Sequence, residues 1–289
     1  MITYTVYNEA GGVAKTTLAA NLAHAHVRQG LDVLVVDLDP QDGSLTYLLG
    51  IDAPRTDGDA DNLVRHMLDR PQGDFDDLVY ETDLGIDVLP SHNMLESFTE
   101  LLINREKMAE QMNEEFNRHE LLHRTLADAG VPDKYDVLIC DPQATAGPVL
   151  YNAIYATRSL TVPLELSGKG ARSKEGLDDI VSNMVSTLGI DVGVLAVVPN
   201  GLKDTKAQLE HVEMIREGSY PVPVTIRDRG SMMGRMWDRH TTAYGVARSR
   251  GRVRERELDT LSKIDDLADY IAAEFDVDAR TPDEEVIEA

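Results

Sequence analysis

The sequence predicts a single α/β domain, a doubly wound and mostly parallel sheet flanked by helices. Three observations predict it. Apolar runs alternate with helical patterns along the whole chain. Several runs, such as Asp32-Val-Leu-Val-Val-Asp37 and Asp136-Val-Leu-Ile-Cys-Asp141, are nearly continuous in aliphatic residues. Strands read this way when helices cover both sheet faces. No Gly/Ser-rich linker and no internal repeat divides the 289 residues, a length that can bury one large core.

Strands are expected at 2–7, 32–37, 86–89, 136–141, 159–164 and 192–198, with a short one at 222–226. Residues 52–87 are rich in acids, with Pro and Gly interspersed, and read as surface structure holding one short helix at 60–69. A helical stretch over 94–128 carries a loose stripe of Phe98, Leu101, Leu102, Met108, Met112 and Phe116. Met232, Met233, Met236 and Trp237 form a helix packing face. The last helix, 258–275, has its stripe at Leu258, Leu261, Ile264, Ala268, Ile271 and Phe275. The domain is taken as 1–275, and the acidic tail 276–289 is expected to fray. In such folds ligands gather at the C-terminal ends of the strands.

Composition excludes several classes. No apolar run approaches the length of a membrane span, and no basic region followed by an apolar core opens the chain. The single Cys140 has no internal disulfide partner. A cytoplasmic protein is expected. Net charge is −23, with 51 acids against 28 bases. The acids are spread along the chain, which suits a salt-rich cytosol where screening removes self-repulsion.

Between the first strand and the first helix lies Ala10-Gly11-Gly12-Val13-Ala14-Lys15-Thr16-Thr17. Strand, Gly-rich turn, Lys-Thr and helix form the context of a phosphate-binding loop. Glycines let backbone N–H groups crowd a polyphosphate, and the helix N-terminus adds partial positive charge. Lys15 can reach the β- and γ-phosphates and Thr16 can offer its hydroxyl to Mg²⁺. Ala14 stands where the common loop has glycine, and it tolerates the loop only at negative φ.

Two more stretches supply carboxylates. The second strand ends in Asp37-Leu38-Asp39, an i, i+2 pair that could hold Mg²⁺-bound water and orient an attacking water. The strand over 136–141 ends in Asp141-Pro142, placing a third carboxylate at a strand tip. Asp136 opens that strand at the opposite edge and reads as structural.

These stretches resemble the ParA/MinD family of deviant Walker-type P-loop ATPases, a SIMIBI-like fold, over nearly the whole chain. The matching residues are 11–17, Asp37-Leu-Asp-Pro-Gln41, Leu89-Pro-Ser-His-Asn93, Tyr135-Asp-Val-Leu-Ile-Cys-Asp141, Asn152-Ala-Ile154, Val198-Pro-Asn200 and the segment around Ile226-Arg-Asp-Arg229. The pattern is closer to ParA than to MinD. The resemblance implies an ATP-driven homodimer released by hydrolysis, with ATP and Mg²⁺ as cofactors and a small ParB-like or adaptor protein as activator. It implies that Lys15 and Thr16 bind phosphate and Mg²⁺, that Asp39 positions the attacking water, and that Asp37 and Asp141 hold metal-bound water. Asn200 would lie near the adenine. One departure is Ala10, where the family usually has a lysine that crosses the dimer. Lys169, in a Gly-flanked loop after the strand over 159–164, is the expected replacement. The competing readings are a MinD-like regulator of division placement, and a nucleotide-binding interaction protein with little hydrolysis.

Residues 227–256 carry nine arginines against three acids. Arg227, Arg229, Arg235, Arg239, Arg248, Arg250, Arg252 and Arg254 are the candidate contacts for non-specific DNA, with acidic protein partners or the chain's own acidic surface as the alternative. The run 248–256 alternates, so an extended loop would present its guanidiniums on one side. Such contacts weaken steeply with salt. His119 and His123 are spaced to share a metal but lack an evident third ligand, and read as a surface pair.

Overall fold

The computed structural model describes residues 1–165, 173–250 and 253–277, without the side chains of 173–176. Eight strands follow in chain order: β1 Ile2–Val6, β2 Val33–Leu38, β3 Tyr80–Glu81, β4 Ile86–Leu89, β5 Val137–Pro142, β6 Ser159–Glu165, β7 Gly193–Leu202 and β8 Ile226–Arg227. Helices α1 Lys15–Arg28, α2 Leu45–Leu48, α3 Leu63–Met67, α4 Phe98–Met112, α5 Leu121–Asp128 and α6 Val131–Lys134 belong to the first half. Helices α7 Pro148–Thr157, α8 Ser173–Leu188, α9 Lys206–Arg216, α10 Gly230–Arg239, α11 Ala243–Arg248 and α12 Glu255–Glu274 follow.

The strands form one sheet in the order β3-β4-β2-β5-β1-β6-β7-β8. All pairings are parallel except β3 with β4. The doubly wound expectation therefore holds, and its cause is visible in the central strands. Val33, Val35, Val137 and Ile139 enter the core beneath α1 and α12, while Leu34, Val36, Leu138 and Cys140 enter the one beneath α4 and α5. Alternate residues face opposite sides, and both sides are covered, so both must be apolar. Helix α1 lies between the sheet and α12, and its Ala19, Ala20, Ala23 and Ala25 allow that close approach.

Three expectations are corrected. The segment 222–226 is not a strand; pairing is confined to Ile226–Arg227, because Pro221 and Pro223 supply no N–H to a ladder. The helix over 94–128 breaks: α4 ends where Asn113 turns left-handed at φ 56°, and α5 resumes at Leu121. The short antiparallel edge strand β3 carries too few residues to show a period. Met232 and Met236 are buried and Met233 and Trp237 pack partly against the same core, as the helix face predicted. The tail beyond Val277 lies outside the described residues.

Candidate nucleotide site

The loop after β1 is built from local backbone bonds. Tyr7 N–H donates to the Thr161 carbonyl at 3.1 Å. Asn8 ties the loop to β6 through the Pro163 carbonyl at 2.8 Å, and accepts from Ala10 N–H at 2.9 Å. Gly11 is exposed and Gly12 sits at φ +78°, a value that suits glycine. Ala14 sits at φ 67°, ψ 37° and precedes α1. The sequence reading allowed alanine here at negative φ; the structure places it in the left-handed region instead. That conformation costs an L-residue roughly 1–2 kcal/mol. Lys15 Nζ folds back onto the Ala10 carbonyl at 3.1 Å, and Thr16 and Thr17 lie in the first turn of α1. Asn200, at a bulge in β7, donates to the Val13 carbonyl at 3.4 Å and so closes the loop from the other side.

The carboxylates meet this loop at the strand ends. Asp37 and Asp141 are directly paired in the β2–β5 register and both are buried. The Asp37 carboxylate accepts from Thr46 N–H at 2.7 Å, from Thr46 Oγ1 at 2.5 Å and from Asp39 N–H at 3.1 Å. Burial nevertheless pushes its carboxyl above the ordinary range. Neither Asp141 oxygen has a partner of good hydrogen-bond geometry, although Thr16 and Lys15 act on the group. Burial first, then the charge of Asp37, drives the Asp141 carboxyl well up. Burial lowers the Lys15 ammonium, and Asp141 and Asp39 pull it back. Lys15, Thr16, Asp37, Asp39 and Asp141 thus converge on one place. Asp136, by contrast, accepts from Asp32 N–H at 3.0 Å at the far end of the strands, as its structural reading required.

A hard divalent cation fits this donor set. The buried carboxylate oxygens of Asp141 and the Thr16 hydroxyl beside them are ligands that Mg²⁺ takes. Among the described residues no group of three acidic, His or Cys side chains could hold a metal alone. A cation here would need phosphate and water oxygens to complete its shell. Beside the loop opens a cavity of about 210 Å³, bordered by Ala14, Thr17, Asn21, Asn200, Arg229 and Met233.

Several of the candidate arginines are paired within the chain. Within the run 248–256, Arg248 ends α11 and Glu255 opens α12, and residues 251–252 lie outside the described residues. Arg227 pairs with Asp204 at 3.0 Å and Asp259 at 3.7 Å, and Arg229 pairs with Asp259 at 3.6 Å. Arg250 pairs with the buried Glu257 at 2.5 Å. Arg239 donates to Ser249 Oγ at 2.5 Å. Arg235, Arg248 and Arg254 are exposed. Arg252 and Lys169 lie outside the described residues. Sequence reasoning missed Thr46, Arg55 and Ser91, which hold the Asp37–Asp42 segment. Ser91 was inside a motif already noted; Arg55 lay in a segment read as plain surface.

Fold and loop together define a P-loop nucleotide-binding protein. The family model AAA_31, an AAA domain, matches residues 1–188. The chromosome-partitioning ATPase Soj of Thermus thermophilus is 34% identical over 159 residues, covering 55% of this chain and 52% of Soj. The chromosome partitioning protein ParA of Myxococcus xanthus is 27% identical, covering 73% of this chain and 69% of that one. The chain thus spans about half of Soj. Among solved structures, cobyrinic acid a,c-diamide synthase from Mycobacterium smegmatis with bound ATP analog and magnesium gives a TM-score of 0.72 at 23% identity, covering 96% of this chain and 97% of that one. A plasmid partition protein of Borrelia burgdorferi bound to AMPPNP gives 0.68 at 18%, covering 94% and 98%. The chain belongs to the AAA_31 family, and within it to the ParA/MinD type of P-loop ATPases.

Proposed function

We propose that this chain is a Mg²⁺ATP-dependent switch that dimerises on ATP, hydrolyses it slowly, and positions or segregates DNA or another large cargo. The observation that carries the reading is the in-register pair Asp37–Asp141 at the mouth of the Lys15 loop, with the buried Asp141 carboxylate acted on by Thr16 and Lys15. A site with no ligand to serve has no reason to keep two neighbouring buried carboxylates, since each costs several kcal/mol when charged and unpaired.

Placement supports the following roles for the described residues, and the family resemblance supports that of Lys169. The Gly11–Thr17 backbone and Lys15 hold the phosphates, and the cavity beside Asn200 receives the base. Thr16 and Asp141 would hold the metal, and Asp37 holds the segment that leads to Asp39. Bound Mg²⁺ would neutralise charge developing on the phosphoryl oxygens. Asp39 is partly exposed at that mouth and orients the attacking water. Lys169 stands for the cross-dimer cation that Ala10 lacks. Arg235, Arg248 and Arg254 are the outward arginines that remain for DNA. A small activator protein and a nucleoid-associated place in the cytoplasm accompany this reading, in line with the partition functions named for Soj and ParA. No described helix is long and apolar enough to cross a membrane.

The test is phosphate release and self-association of the purified protein with Mg²⁺ATP, across a salt series. Wild type should bind, dimerise and turn over. Asp39→Ala should bind ATP yet lose turnover, and Lys15→Ala should lose binding. Lys169→Ala should fall below Lys107→Ala in turnover and dimerisation. A wild-type protein that ignores Mg²⁺ATP at every salt concentration ends this reading.

A further inference from the structure

The segment carrying Asp39 is exposed at its tip: Gln41, Asp42 and Gly43 all face solvent, and Gly43 turns at φ +81°. Such a tip would wander if nothing held it. Two side chains from outside the segment do. Ser91, just past β4, donates its hydroxyl to the Asp39 carbonyl at 2.5 Å. Arg55 donates through one guanidinium nitrogen to the Asp42 carboxylate and through the other to the Pro40 carbonyl.

These holds are themselves anchored. The Arg55 carbonyl accepts from Asn93 N–H at 3.0 Å. Ser91 N–H donates to Thr46 Oγ1 at 2.9 Å, and Thr46 in turn donates to the Asp37 carboxylate. The exits of the neighbouring strands β2 and β4 are therefore stitched into one unit. Arg55 is the part that grips the tip. Its side chain is 22% exposed, whereas the Asp42 side chain is 96% exposed. An ion pair to so open a carboxylate contributes little by itself. The fork matters because its second arm reaches a backbone carbonyl next to Asp39. A planar guanidinium can bridge both acceptors at once, and a lysine ammonium lacks that fixed geometry.

We propose that Arg55 is a positioning residue for Asp39. By bridging Pro40 and Asp42 it sets the angle at which the Asp39 carboxylate meets the attacking water. The inference rests on the ATPase reading, but the clamp itself does not need nucleotide. Arg55 also borders a cavity of about 350 Å³ with Asp59, Asn62, Tyr80 and His92. Truncating Arg55 therefore widens an existing hollow and forces no clash.

The experiment pairs kinetics with hydrogen exchange. Arg55→Ala should lower kcat about 10- to 100-fold, the scale of an ångström-level misplacement. The Kd for ATP and the Tm should stay near wild type. Arg55→Lys should recover only part of the rate. Unchanged kcat, or a rate loss that merely follows weaker ATP binding and a lower Tm, overturns the proposal. Should Arg55→Ala not fold, Asp42→Ala at the exposed end keeps the question open to measurement: a several-fold lower kcat at unchanged ATP affinity supports it, and wild-type kinetics overturn it. In nucleotide-free protein, amides of 39–46 should exchange faster in Arg55→Ala than in wild type. Equal exchange overturns the clamp even if the wild type proves inert toward ATP, a result that by itself would remove only the ATPase reading.

Discussion

Asp37 and Asp141 stand opposite each other on neighbouring parallel strands; the chain gives the first three hydrogen bonds and the second only the neighbouring Thr16 and Lys15. Adjacent strands lie about 4.8 Å apart, so each carboxylate raises the cost of charging the other. Asp141→Asn should raise the stability of the ligand-free protein at pH 7, because the amide carries no charge to desolvate beside Asp37. It should also abolish the Mg²⁺ dependence of ATP binding. Because the folded-state pKa of Asp141 is raised, the wild-type group protonates as pH falls and the penalty disappears. The gap between variant and wild type in urea unfolding should therefore shrink from pH 7 toward pH 5.

Ala14 holds a left-handed backbone at φ 67° without glycine's freedom. Ala14→Gly should relieve that cost, partly offset by the greater entropy of the unfolded chain. A net gain of about 0.5–1 kcal/mol is expected, read from the urea midpoint at unchanged m-value. ATP binding should be retained, since the loop keeps its shape.

The arginines of 227–256 divide into two groups with different failures. Arg250→Ala leaves the buried Glu257 with the Arg254 N–H but no ion-pair partner and should cost about 1–3 kcal/mol of stability. Arg235→Ala, Arg248→Ala and Arg254→Ala, at exposed positions, should leave stability alone. Each should weaken DNA binding about equally on any sequence and lower the slope of log K against log salt by about 0.9. Unchanged salt slopes in all three would remove DNA from the account.

His24 and His26 are both held down to about 4, in each case chiefly by burial. A depressed folded pKa means that the unfolded chain takes up protons first as pH falls. Their contribution is complete above the ordinary histidine range near 6.5 and is lost on the way down to about 4. Unfolding free energy should drop across that window, and His24→Gln should flatten the drop. The raised carboxyls of Asp37 and Asp141 act in the opposite direction over part of the same range. The single-site differences, and not the wild-type curve, carry the test.

What could be read from the chain alone was whatever had a local signature. Strands β2 and β5 announced themselves because two-sided burial demands unbroken aliphatic runs. Lys15, Thr16, Asp37 and Asp141 were legible because strand ends and one turn fix their place. Arg55 and Ser91 were not, since their partners lie far along the chain or on its backbone. Arg250 looked free for the same reason: its compensating Glu257 becomes a neighbour only when α12 starts where it does. The left-handed turn at Asn113 that splits the 94–128 helix has no apolar signal at all.

The strand order has a bearing on biogenesis. The Gly-rich stretch is synthesised before β5 and β6, yet β1 pairs with both. Until then the nascent chain owns half a binding pocket and nothing to close it. Ligand capture would thus report a finished central sheet, and a truncated or stalled polypeptide ending before β5 should pass over an ATP-agarose column unretained.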